Sequence, residues 1–105
     1  MLLDKVQLGH FNYVGDSVLG EGAHLAGGAI TSNLKLDQRD VTVQLGSRKI
    51  ETRLLKFGAI VGDYAEIGCN VVLNPGTIVG RKTIVYAGVS VRGVIPANHI
   101  LKLRQ

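Results

Sequence analysis

LKFGAI VGDYAE IGCNVV LNPGTI VGRKTI VYAGVS VRGVIP, residues 55–96, divides without remainder into sixes. The first positions are Leu55, Val61, Ile67, Leu73, Val79, Val85 and Val91, all aliphatic. The fifth positions are Ala59, Ala65, Val71, Thr77, Thr83, Val89 and Ile95, all small or β-branched. Glycine holds the second position at Gly62, Gly68 and Gly80. A period of six fits neither a helix nor a plain alternating strand. It describes a short strand and a corner, repeated, so that three sixes close one triangular coil. Aliphatic first positions then stack inward from coil to coil, and glycine is expected to supply corner conformations.

The same pattern extends upstream as YVGDSV, LGEGAH and LAGGAI, with Tyr13, Leu19 and Leu25 in first position. Together the sixes predict an all-β chain, a parallel β-helix of about three coils and about 15 Å tall at strand spacing. Residues 31–54 break the pattern. Within them VTVQL and RKIET flank Gly46-Ser47, a two-residue hairpin signal with glycine first, as a type II′ turn requires. The interruption leaves the register in phase, so 31–54 reads as a loop and hairpin extruded from a single domain, 1–105. So short a stack has a thin core, and self-association as a cyclic trimer is expected.

Composition narrows the function classes. The chain is 46% hydrophobic, enough to fold, and its 14 glycines suit many tight corners. Cys69 is the one cysteine, so no internal disulfide forms. No stretch reads as a signal peptide or membrane span, and a cytoplasmic protein is expected. The net charge of +4 fits an anionic small molecule such as a phosphate ester. It supports nucleic acid poorly, because the basic residues are scattered and aromatics are few.

HFNYVGDSVLGEGAHLAGGAITSN, residues 10–33, resembles the start of the acetyltransferase half of bifunctional sugar-1-phosphate nucleotidylyltransferase/acetyltransferases. The later sixes are shared by the wider hexapeptide-repeat transferases, whose coils are left-handed. The resemblance therefore implies a left-handed helix, an exception to the usual right-handed crossover. It also implies acetyl-CoA as co-substrate and an amino-sugar phosphate or nucleotide sugar as acceptor. By the same resemblance, His10 in H-x-x-Y is the general base, Tyr13 helps hold the sugar phosphate, and Asn33 closes the substrate segment. A backbone N–H near Gly27 receives the oxyanion. The chemistry is coherent: an amine must lose its proton to attack a thioester, and histidine is suited to take it. Fixed backbone donors suit an oxyanion. Cations for phosphate and CoA are available at Arg39, Lys56, Arg81, Lys82, Arg92, Lys102 and Arg104, with Arg81, Lys82 and Arg92 assigned to the cofactor.

The chain also departs from that pattern. His24 stands where an asparagine is expected, so it is either a second substrate contact or an outward-facing residue. LKLDQRD replaces a lysine-bearing loop, with Arg39 standing in loosely for the lysine. No glycine-rich nucleotide loop precedes the repeat, so the nucleotidylyltransferase half is expected to be absent. The three histidines lack metal-ligand spacing, and no metal is expected. Asp16 and Glu21 read as solvated corner residues, and Cys69 lacks a neighbouring base. Two readings follow: an acetyltransferase working through His10, or a catalytically silent oligomerisation module whose site has decayed.

Overall fold

The computed structural model describes residues 1–102. Its strands are short and stack in three parallel sheets that form the faces of a triangular prism. Face one comprises β3 (Val18–Leu19), β8 (Ala59–Val61), β11 (Thr77–Val79) and β14 (Val94–Ile95), extended below by a bridge from Leu2 to Leu19. Face two comprises β1 (Gln7–Leu8), β4 (His24–Leu25), β9 (Glu66–Ile67), β12 (Ile84–Val85) and β15 (Ile100–Leu101). Face three comprises β2 (Tyr13–Val14), β5 (Ile30–Thr31), β10 (Val72–Leu73) and β13 (Ser90–Val91). The fold is a left-handed parallel β-helix.

It has about five turns rather than three. The additional coils come from residues 1–12 and from the segment after Val91. Both carry sixes of their own, Leu2 to Leu8 to Val14 and Ile95 to Leu101, but out of phase with the rest, because the repeat slips twice. Val14 to Leu19 is one residue short of a six, and Val91 to Ile95 is two short. Ile95 thus stands in register with Val79, a first position, not a fifth.

The core follows from strand geometry. Within β8, Ala59 and Val61 point inward and are buried while Ile60 points out, the ordinary alternation of a strand. The inward pairs Ala23/Leu25, Ala65/Ile67, Val71/Leu73, Thr77/Val79 and Thr83/Val85 repeat this arrangement and are all buried. Buried hydroxyls stay partnered: Thr77 Oγ1 donates to Asn74 O at 2.6 Å, and Thr83 Oγ1 donates to Pro96 O at 2.7 Å. Two predicted first positions are not inward. Tyr13 is 51% exposed on the outer surface, and Val14 takes the core position opposite Thr31. Leu55, 47% exposed, lies in the return from the hairpin.

The second-position glycines have a different cause from the one expected. Gly62, Gly68 and Gly80 do not sit at positive φ. A Cβ on Gly62 would meet Arg81 N at 2.5 Å, and one on Gly80 would overlap Ala97 N. They are glycines because the next coil passes directly over them. The left-handed backbone falls instead on the fourth position, at Gly22, Gly28, Tyr64, Asn70, Gly76, Lys82 and Gly88, with φ between 57° and 85°.

The interruption leaves the prism after β5. Its neck is closed by Phe57 N–H donating to Asn33 O at 2.9 Å and by the Leu34–Lys56 bridge. Beyond the neck, β6 (Val41–Leu45) and β7 (Arg48–Leu54) pair antiparallel around Gly46-Ser47, with Gly46 at φ 58°. Val41 and Val43 are buried, and Val41 packs beside Gly76 at the corner between faces three and one. The hairpin is thus extruded in sequence but folded back against the prism.

Candidate active site at the corner between faces two and three

His10 and Gly27 occupy the same corner in successive coils. His10 follows β1, Gly27 follows β4, and each precedes a residue at positive φ, Phe11 and Gly28. The two coils are joined there by Gly28 N–H donating to His10 O at 2.8 Å. The imidazole of His10 is exposed and lies 6.4 Å from the Phe11 ring, between centroids. Among the described residues no acceptor takes the Gly27 N–H, and Gly9 leaves it uncovered: a Cβ on Gly9 would sit 2.8 Å from Gly27 N. An exposed imidazole and an unengaged backbone donor therefore share one corner.

Tyr13 and Asn33 lie beyond that corner, on face three and just after it. Both side chains approach Gly15. Asn33 Nδ2 donates to Asp16 Oδ2 at 2.8 Å, so Asp16 holds Asn33, and the Glu21 N–H donates to Asp63 Oδ1 at 2.8 Å. His24 projects from face two. Its Nδ1 lies 2.8 Å from Glu66 Oε2 in the next coil, where the strand register places the two residues opposite each other. The carboxylate leaves Nε2 as the free nitrogen. A shallow depression of about 230 Å³ runs beside the pair, between Ala26, Gly68 and Tyr86.

Among the described residues the candidate basic residues do not converge. Arg81 and Lys82 form an exposed corner between faces one and two. Arg92 lies at the corner between faces three and one. There it lines a groove of about 550 Å³ with Ser32, Lys35, Asn74 and Thr42, between the extruded loop and the prism. Arg39 is exposed in that loop, and its N–H donates to Asp37 Oδ1 at 3.0 Å. This bond, with nearby Lys35, holds the Asp37 carboxyl below the usual carboxylate range. Lys56 stands exposed at the neck, and Lys102 Nζ lies 5.1 Å from the Tyr86 ring centroid. Arg104 lies outside the described residues.

No model of a known protein family matches the chain. Individual proteins do. Over 103 residues, 98% of its length, the chain is 31% identical to a bifunctional sugar-1-phosphate nucleotidylyltransferase/acetyltransferase of Sulfurisphaera tokodaii. Over 87 residues it is 34% identical to a bifunctional protein GlmU of Methanococcus vannielii. It covers 83% of its own length in that match. It spans 26% and 21% of those two relatives. Among solved structures, serine acetyltransferase isoform 3 from Entamoeba histolytica, in complex with cysteine, superposes at TM-score 0.66 with 11% identity, over 96% of this chain and 34% of that one. A maltose O-acetyltransferase from Clostridium difficile 630 superposes at 0.53 with 20% identity, over 94% and 55%. The chain is thus similar along nearly its whole length to one part of these bifunctional transferases, and it shares the fold of the two acetyltransferase structures.

Two site features of this hexapeptide-repeat protein escape sequence reading. Glu66 reads as one more polar outward residue, because only the coil register sets it against His24 across a gap of 42 positions in sequence. Asn12 reads as filler inside H-x-x-Y. Its true position is the inward one immediately before Tyr13, and a signal for it exists. Once Val14 is recognised as a first position, Asn12 becomes a fifth position occupied by neither a small nor a β-branched apolar residue.

Proposed function

We propose that this β-helix is an acetyl-CoA-dependent N-acetyltransferase acting on an amino-sugar phosphate or nucleotide sugar, as a homotrimer with sites shared between adjacent subunits. The observation that carries the reading is the match along 98% of the chain to a protein named for both nucleotidylyl and acetyl transfer. Support comes from the His10–Gly27 corner. In the proposed step the His10 imidazole takes a proton from the acceptor amine as the nitrogen attacks the thioester carbonyl carbon. The oxyanion that forms is met by the Gly27 N–H. Collapse re-forms the carbonyl and breaks the C–S bond, and the CoA sulfur leaves with the proton carried by the imidazolium. Tyr13, Asn33 and Arg39 are assigned to the acceptor and its phosphate, and Arg81, Lys82 and Arg92 to acetyl-CoA. Because Arg92 and the Arg81–Lys82 pair sit at different corners, joint use of all three on one CoA requires two chains.

The test incubates the protein with acetyl-CoA and glucosamine-1-phosphate and follows the acetylated sugar by mass spectrometry. His10→Ala is expected to lower the rate by about 100-fold or more with oligomeric state unchanged. Undiminished turnover in that variant removes His10 from the mechanism.

One observation favours a second reading, a silent oligomerisation or regulatory module. His24 occupies the position the resemblance gives to an asparagine, and its Nδ1 is engaged by Glu66. Absence of CoA binding by calorimetry, together with absence of product, would select that reading.

A further inference from the structure

The structure assigns Asn12 as the residue that fixes the Gly27 turn against the segment bearing His10. The columns of inward residues expose its peculiarity. On face three the fifth positions of the upper coils are Ala29, Val71 and Val89, all buried and apolar. One coil below Ala29, the same position is Asn12, partly buried beneath it. Its amide Nδ2 donates to Ala26 O at 2.8 Å and to Ala29 O at 3.1 Å. These two carbonyls bracket the Gly27–Gly28 turn from either side. Gly28 N–H donates back to His10 O at 2.8 Å. Segment 10–12 and turn 26–29 are thus cross-linked by these three bonds, all located where the exposed imidazole and the free Gly27 N–H lie.

The orientation of the amide follows from its partners. Both neighbours are carbonyl oxygens, so only the NH2 group can face them. Asn12 Oδ1 is left buried without a partner. An aliphatic residue would fill the position without that cost, as it does in three other coils. What asparagine adds is a two-pronged donor of fixed length. Its consequence is that the Gly27 N–H keeps one direction relative to the backbone of His10. A donor aimed at a developing oxyanion is useful only if it is held there beforehand, and a small displacement is costly in rate. Asn12 touches neither substrate nor cofactor in this account; it is a positioning residue. Its catalytic consequence rests on the acetyltransfer reading, whereas its structural role does not.

The experiment compares wild type, Asn12→Ala, Asn12→Leu and Asn12→Asp in the full chain. Acetyl transfer from acetyl-CoA to glucosamine-1-phosphate gives kcat and KM, and proton–nitrogen correlation NMR gives the Gly27 and Gly28 amide positions. Asn12→Ala removes the donors, and Asn12→Leu removes them while filling the space, so one reports even if the other fails to fold. Either is expected to lower kcat about tenfold or more with both KM values within about twofold, and to move the Gly27 and Gly28 amides while that of Ala65 stays. Asn12→Asp places a carboxylate against two carbonyls at neutral pH. On acidification the carboxyl gains a proton and becomes a donor again, so the two amides should return toward their wild-type positions. A residue that merely occupied space would show no such return. Unmoved amides in the folded variants, or moved amides with kcat unchanged, overturn the assignment. If wild type itself transfers no acetyl group, the functional reading fails separately. The amide positions then decide Asn12: displaced amides support the clamp and undisplaced ones overturn it.

Discussion

Gly62 is the residue where the coil stack tolerates least. A methyl group there would lie 2.5 Å from Arg81 N and 2.8 Å from Arg81 Cα, and both are backbone atoms that cannot rotate away. Relief requires the third and fourth coils to separate locally, which would stretch the Gly62 N–H to Val79 O bond, now 2.7 Å. Gly62→Ala is therefore expected to destabilise by about 1–3 kcal/mol, read as a lower midpoint in urea. Gly46 offers the control. Nothing lies within 4 Å of its missing Cβ, so only its φ of 58° opposes a side chain. Gly46→Ala should cost about 1–2 kcal/mol, confined to the hairpin. If Gly62→Ala leaves the midpoint unchanged, the close approach of the coils is not what demands glycine there.

At the scale of the element, each strand of the prism is only two or three residues long, so the corners govern the coil. Most of the sixes turn through a fourth residue in the left-handed region, yet Tyr64, Asn70 and Lys82 hold that region without being glycine. Lys82 is the informative one, because its side chain is exposed and the backbone term can be isolated. Asparagine tolerates φ near 57° and a β-branched residue does not. Lys82→Asn should leave the urea midpoint within about 0.5 kcal/mol, while Lys82→Val should cost about 1 kcal/mol or more. Equal midpoints for the two variants would deny the corner its conformational control. These corners also mark the limit of what the sequence discloses. The inward columns were legible because first and fifth positions must be apolar and small whatever their neighbours are. The coil count was not. The slips at Val14–Leu19 and Val91–Ile95 shift the phase, so the sixes at either end fall out of line with the rest, as Tyr13 shows by facing out. The site divides in the same way. His10 stands out in a short motif, whereas Asn12 and the His24–Glu66 pair exist only through contacts between coils.

At the scale of the whole molecule, the prism is small and wet. The chain exposes 6685 Å², about 1,000 Å² more than the roughly 5,700 Å² usual for a folded monomer of this mass. The faces do not share that excess equally. Face two presents Gln7, His24, Glu66, Ile84 and Ile100 in its outward column, polar over the first three coils. Face one presents Val18, Ile60, Ile78 and Val94, with Ile60 38% exposed. An unbroken apolar column on a narrow solenoid is a surface that association would cover. We take the association to be a cyclic trimer, which closes on itself and leaves no open end. Light scattering should then give three chain masses. The thermal midpoint should rise with protein concentration, because only the assembled state gains from mass action. Ile60→Lys places a charge in the middle of the apolar column and should shift the mass toward one chain at micromolar concentration. A single-chain mass for wild type, with a midpoint independent of concentration, would refute the trimer. It would also remove the shared site, since Arg92 and the Arg81–Lys82 pair could no longer meet one cofactor from two chains. Three chain masses in both proteins would keep the trimer and move its contact off face one.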